Sequence, residues 1–145
     1  MILTMPRRCI LIGHSAIEQE LLEVLMRKEN SITIAGIFRS TTEALGFLQK
    51  QCVDMALADR DALQRSDVML LQELLSVMIW SCSSWHSPIA EFSEAGTTNI
   101  FLRKPLRPHS LHRALAEAVD HLETRSGIIK PSAVAEASVM QPTLR

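Results

Sequence analysis

The feature that most constrains this chain is a repeated exchange between two periodicities: short apolar runs of strand length, each followed by residues whose apolar positions recur every three or four. Cys9-Ile10-Leu11-Ile12, bounded by Gly13, is apolar without alternation, which is the pattern of a strand buried on both faces. Ser15-Ala16-Ile17-Glu18 has the spacing of a capping box and opens a helix to about Lys28, with Ile17, Leu21, Leu22, Val24 and Leu25 at helical period. The β-branched run Ile32 to Phe38 predicts a second strand, and a second capping box, Ser40-Thr41-Thr42-Glu43, opens a helix carrying Ala44, Leu45, Phe47 and Leu48. Val53 to Asp59 reads as a weaker third strand, and a helical stripe through Val68, Leu71 and Leu74 follows over about Asp67 to Leu75. Val77-Met78-Ile79-Trp80 is a fourth strand, and Pro88 to Ala95 a helix stopped by Gly96, since glycine takes the left-handed conformation cheaply. Ile100-Phe101-Leu102 is a fifth strand. Pro108 suits a first helical position, and Leu111, Leu115, Ala118 and Leu122 give the last helix a clean apolar face.

Five strands alternating with five helices imply parallel strands joined by right-handed crossovers, with helices on both faces: a doubly wound α/β sheet. The length of 145 residues suits one domain, and 47% hydrophobic against 21% charged residues argues against disorder over most of it. A formal net charge of -1 provides no global field for nucleic acid or an acidic membrane, and no basic recognition helix appears, so direct nucleic-acid binding is not expected. Cys9, Cys52 and Cys82 lack metal-ligand or disulfide-framework spacing, which favours a reducing, cytoplasmic setting. Apolar stretches are broken by charge well before spanning length, and Met1 to Arg8 lacks the order of a secretory signal, so neither membrane nor targeting segment is read. Residues 7 to 123 form the expected domain, and 124 to 145, rich in Ala, Ser, Val and Pro without a sustained period, a flexible tail.

Binding groups of an open parallel sheet gather at the carboxyl ends of its strands. Here those ends offer Gly13 and His14, then Asp59, then Ser81 and Cys82, then Arg103-Lys104-Pro105. A phosphoryl group accepted on Asp59 and held by Ser81 and Lys104 is coherent chemistry. Plainer roles stand beside it: Lys104 pairing with Asp59, Ser81 satisfying a backbone group, and Phe101 filling the core. His14 with Asp59 gives two metal ligands without a third, and His109, His112 and His121 on the last helix have no carboxylate or cysteine to complete a set. Cys82, near Trp80 and Trp85, has no base placed beside it and reads as buried. Gly13 has no partner glycine at nucleotide-binding spacing, which disfavours a dinucleotide fold.

Over residues 7 to 123 the chain resembles the receiver domain of bacterial two-component response regulators, a flavodoxin-like topology. The resemblance rests on Glu94-Ala95-Gly96 followed by Phe101-Leu102-Arg103-Lys104-Pro105, and on Asp54 and Asp59 five residues apart. It implies that Asp59 is the phosphoacceptor equivalent, that Ser81 and Phe101 stand at the switch hydroxyl and switch aromatic, and that a cis bond precedes Pro105. The pattern departs where two adjacent acids would bind magnesium, because Gly13 and His14 stand there. Arg60 to Arg65 also replaces the usual turn after the third strand, and one extra residue lies between Gly96 and Lys104. Magnesium needs hard oxygen ligands, and phosphoryl transfer to a carboxylate depends on it.

The expectation is therefore a degenerate receiver-like signalling domain, not an enzyme and without a cofactor, whose phosphorylation is weakened or lost. It would act through a protein partner, a histidine kinase or downstream signalling protein, or as a homodimer. The surface implied by the resemblance carries Glu91, Glu94, Arg103, Arg107, His109 and Arg113, with Trp85 and Phe92 as apolar anchors. The alternatives are an active switch phosphorylated on Asp59 with bound Mg2+, and a small-molecule sensor using a pocket widened at Gly13 and His14.

Overall fold

The computed structural model describes residues 5–83 and 96–125. Five strands, β1 (Arg7–Ile12), β2 (Ile32–Phe38), β3 (Met55–Asp59), β4 (Val77–Cys82) and β5 (Thr98–Arg103), form one sheet in the order β2-β1-β3-β4-β5. Every pairing is parallel. The connections run through α1 (Ala16–Met26), α2 (Thr41–Leu48), a 3-10 turn (Arg60–Ala62) leading to α3 (Arg65–Leu74), and, after β5, the last helix α4 (Pro108–Arg125). This is the expected doubly wound α/β sheet, with four α-helices among the described residues where five were expected. The helix read over Pro88 to Ala95, with Trp85, Glu91, Phe92 and Glu94, lies outside the described residues, as does the tail from 126 onward.

Alternation along the central strands builds two cores. Cys9 and Leu11 of β1 join Met55, Leu57, Val77 and Ile79 against Leu22 and Met26 of α1 and Leu111, Leu115, Ala118 and Leu122 of α4. Ile10 and Ile12 point the other way, joining Ala56, Ala58, Met78 and Trp80 against Ala44 of α2 and Val68 and Leu71 of α3. The face predicted for α4 is thus the buried one.

The stripe expected on α1 needs correction. Only Leu22 and Met26 are buried, with Leu25 partly so, whereas Ile17 (80%), Leu21 (38%) and Val24 (48%) are exposed. Five apolar positions cover more than one helix face, and Ile17, Leu21 and Val24 lie together at steps of four and three on the outer one. On α3, Gln72 is buried while Leu74 turns outward, and Leu75, just past the helix end, is buried. This helix begins at Arg65, two residues before the expected start, because Asp67 reaches back to accept a hydrogen bond from the Gln64 amide.

Candidate functional site

Each strand delivers its last residue to the carboxyl edge of the sheet, and the adjoining caps set what those residues face. β3, buried along all five residues, ends in Asp59, only 5% exposed. Its Oδ1 accepts a hydrogen bond from the Asp61 amide at 2.9 Å and so caps the 3-10 turn. Its Oδ2 accepts one from Lys104 Nζ at 2.8 Å. Lys104 follows β5, where its amide donates to the Cys82 carbonyl at 2.9 Å and its peptide bond to Pro105 is cis, as the resemblance implies.

Two further carboxylates close on the same ammonium. Asp61 Oδ2 lies 3.2 Å from Lys104 Nζ and Glu18 Oε2 lies 3.5 Å from it. Burial opposes the charge of Lys104, but the hydrogen bond and charge of Asp59, followed by Asp61 and Glu18, more than offset it and hold the ammonium above the ordinary lysine range. Burial likewise opposes ionisation of Asp61, yet hydrogen bonds from the Ser83 hydroxyl and amide, with Lys104, bring its carboxyl below its ordinary value.

Sequence reasoning missed Glu18 and Asp61 as members of this site. Glu18 sits at the capping-box position after Ser15, and Ser15 Oγ does accept from the Glu18 amide at 3.2 Å. The Glu18 carboxylate, however, is drawn to the lysine. At the second cap Ser40 accepts from the Glu43 amide, and Glu43 reaches back to the Arg39 amide at 3.0 Å. The two caps differ in where the glutamate carboxylate goes, to Lys104 in the first and to the preceding backbone amide in the second.

Gly13 and His14 follow β1 as expected and supply no carboxylate. Gly13 has φ +82°, and a Cβ there would stand 3.6 Å from Ala62 Cβ, 3.7 Å from Leu63 Cδ2 and 3.9 Å from Asp59 Cβ. The turn after β3 thus lies at ordinary contact distance from the glycine, and a cavity of about 510 Å³ is lined by Gly13, His14, Ala16, Gln19, Glu20 and Arg39. Both ring nitrogens of His14 are shielded from solvent without a hydrogen-bond partner among the described residues. Burial pushes its pKa down to about 4, against the pull of Asp59 and with the push of Lys104, so the imidazole is neutral near pH 7.

Ser81 pairs with Asp59 across the β3–β4 ladder, but it is fully buried and its hydroxyl donates to the Ala58 carbonyl at 3.5 Å. The backbone role is thus the one the geometry records. Phe101, half-buried, packs on the core shared with Trp80. Asp54 stands at the opposite end of β3, where its Oδ2 accepts from the Arg8 amide at 2.7 Å and fastens β3 to β1.

On the last helix, His112 lies 2.9 Å from Glu29, and His121 3.9 Å from Glu117. Cys82 is buried, and burial, followed by the charge of Asp61, raises its thiol to about 11, which suits the inert reading.

A receiver-type pocket implies magnesium, and the residues present do not fit it. The glycine leaves no oxygen ligand, the histidine is a neutral nitrogen base, and an ammonium already stands among the three carboxylates. Among the described residues no group of three or more His, Cys, Asp or Glu side chains is arranged to hold a metal ion.

Strand order and the Asp59–Lys104 pair together define a doubly wound α/β domain whose polar groups lie at the carboxyl edge between β1, β3 and β5. Comparison with solved structures identifies that fold as the one shared by response-regulator receiver domains. The response regulatory domain of mrkE from Klebsiella pneumoniae superimposes with TM-score 0.67 at 17% identity, over 80% of this chain and 98% of that one. A signal receiver domain of an HD domain-containing protein from Pseudomonas fluorescens gives 0.61 at 18% identity, over 83% and 99%. The isolated REC domain of RcsB from Salmonella enterica serovar Typhimurium, in the presence of phosphomimetic BeF3-, gives 0.63 at 15% identity, over 81% and 98%. No protein-family model matches the sequence, and no curated protein matches it. Among the described residues no helix is long and apolar enough to cross a membrane.

Proposed function

We propose that this chain is a receiver-like signalling domain of the cytoplasm that acts through protein contacts, is not itself an enzyme, and has weakened or lost phosphorylation. The observation carrying this reading is the state of Asp59: one oxygen is held by Lys104, the other by the Asp61 amide, and Gly13 and His14 offer no acid beside it. One ammonium facing three carboxylates leaves excess negative charge around Asp59, which repels an incoming phosphoryl anion.

The contact surface that suits this role lies along β5 and α4. A groove of about 640 Å³ is lined there by residues including Phe101, Arg103, Ser110 and Arg113. Arg103, Arg107, His109 and Arg113 are exposed, and although Glu117 also lines the groove, the three guanidinium groups suit an acidic surface on a partner protein. The partner classes are a histidine kinase, a downstream signalling protein or a second copy of this chain. Direct nucleic-acid binding is not part of the reading.

A second reading, a working switch phosphorylated on Asp59 with Mg2+ bound, is favoured by one feature, the retained Asp59–Lys104 contact at 2.8 Å. A backbone-amide NMR titration with Mg2+ and then beryllium fluoride separates the two. The expected result is a flat response in a well-folded sample. Saturable shifts around Asp59, Ser81 and Lys104 that vanish in Asp59→Asn would establish the switch and overturn the proposal.

A further inference from the structure

The ammonium of Lys104 touches side chains from three separate parts of the chain: Glu18 on α1, Asp59 at the end of β3 and Asp61 in the turn that follows. Its backbone extends β5, bound to the Cys82 carbonyl at the end of β4. We infer that Lys104 is the resident cation of this pocket, neutralising Glu18, Asp59 and Asp61 and tying α1, β3, the 3-10 turn and β5 together without any exchangeable ion. The inference deepens the reading of lost phosphorylation and rests on it, since it explains how an acidic pocket lacking a metal-binding pair remains stable.

The physical argument is one of distance and charge. Ammonium–oxygen separations of 2.8 to 3.5 Å are those of hydrogen-bonded and ionic contacts. Magnesium would draw its oxygens to ~2.0–2.1 Å and calcium to ~2.3–2.6 Å, whereas here the ammonium itself stands among the three carboxylates at its own contact distances. Asp59 and Lys104 are both largely shielded, with side chains 7% and 19% exposed, and in such surroundings like charges repel more strongly than in water. The attachment of Asp61 Oδ2 to both the amide and the hydroxyl of Ser83 fixes that carboxylate in the cluster.

Lys104→Met keeps an unbranched side chain one atom shorter and removes the charge, leaving three carboxylates without their cation. The prediction is that the folded state then becomes dependent on an external cation of the same hard, oxygen-seeking kind. Calcium is the better probe, because its longer bonds and flexible geometry demand less contraction of the cluster than magnesium.

The experiment measures the thermal midpoint of the intact chain against Ca2+ in the wild type, Lys104→Met and Lys104→Arg. The expected outcome is a midpoint that rises saturably with Ca2+ in Lys104→Met alone, with the other two flat. A second measurement adds Glu18→Gln to the wild type and to Lys104→Met. Removing that acid should lower or leave the midpoint in the first background and raise it in the second. This reversal of sign also serves if Lys104→Met is too unstable to titrate, since the double variant is then expected to fold where the single one does not.

A Lys104→Met midpoint as indifferent to Ca2+ as the wild type, a Glu18→Gln effect of the same sign in both backgrounds, or a double variant no better folded than the single one would each overturn the inference. These failures are distinct from failure of the functional reading. That reading falls only if wild-type protein answers Mg2+ and beryllium fluoride, whatever Lys104→Met does.

Discussion

The Lys104 ammonium sits 2.8 Å from one oxygen of Asp59, whose other oxygen is already taken by a backbone amide 2.9 Å away. The two partners are unequal in what their loss exposes. Asp59→Asn removes one acid of three and leaves Lys104 with Glu18 and Asp61, so the expected cost is about 1 kcal/mol. Lys104→Met strips the cation from all three, and a loss of about 2–3 kcal/mol is expected, below the fully buried limit because the lysine is partly solvated. Urea unfolding of both variants checks the order, and an equal cost would show that Lys104 and Asp59 act as a simple pair.

His14 sets a pH dependence of its own. Its pKa is about 4 in the folded protein against an ordinary 6.5, so between those values the unfolded chain takes up a proton that the native state refuses. Stability from this residue is full above pH 6.5 and declines as the pH falls towards 4, by roughly 3 kcal/mol at most. The lowered carboxyl of Asp61 contributes in a separate window, its stabilisation being lost only at more acid pH, below 3.8. Denaturation midpoints across pH 4 to 7 should flatten in His14→Leu, and an unchanged slope would remove His14 as the cause.

At Gly13 the backbone is left-handed, with φ +82°. Gly13→Ala should lose about 1–2 kcal/mol from conformation alone. Gly13→Asn should lose less than Gly13→Val, because a short polar side chain tolerates this region and a β-branched one does not. Thermal melts of the three variants test the ranking, and equal melting points would show that the turn relaxes freely.

On α1, burial divides leucine from its neighbours. Leu22→Ala should cost about 2–5 kcal/mol, since Leu22 is fully buried in the core shared with α4. Ile17→Ser, at a position 80% exposed, should change stability by no more than about 0.5 kcal/mol. Comparable losses at the two positions, in guanidinium titrations, would mean that the outer face of α1 is covered in solution.

The fold was legible because the central strands are buried on both faces, and such runs as Cys9 to Ile12 have few other uses. Ser15 and Ser40 marked two helix starts through the hydrogen bonds they in fact make. Helix faces were less legible on α1, where apolar residues outnumber the positions that the sheet covers. Within the site, sequence placed Asp59, Lys104, Gly13 and His14 correctly at strand ends, because the ends of strands are local features. It missed Glu18 and Asp61 because their roles depend on a charge 86 and 43 positions away, which no local spacing records. The shielding of His14 was hidden for a similar reason, being set by the whole packed edge of the sheet rather than by neighbours in the chain.

The left-handed glycine after β1 also bears on what the pocket can become. An acid placed at position 13 of this backbone carries the strain of a left-handed conformation, although its Cβ would meet Ala62, Leu63 and Asp59 only at ordinary contact distance. Outer faces carry no such conformational cost, so the main chain at Gly13 resists the gain of a side-chain oxygen at the pocket more than the surface of the domain resists change.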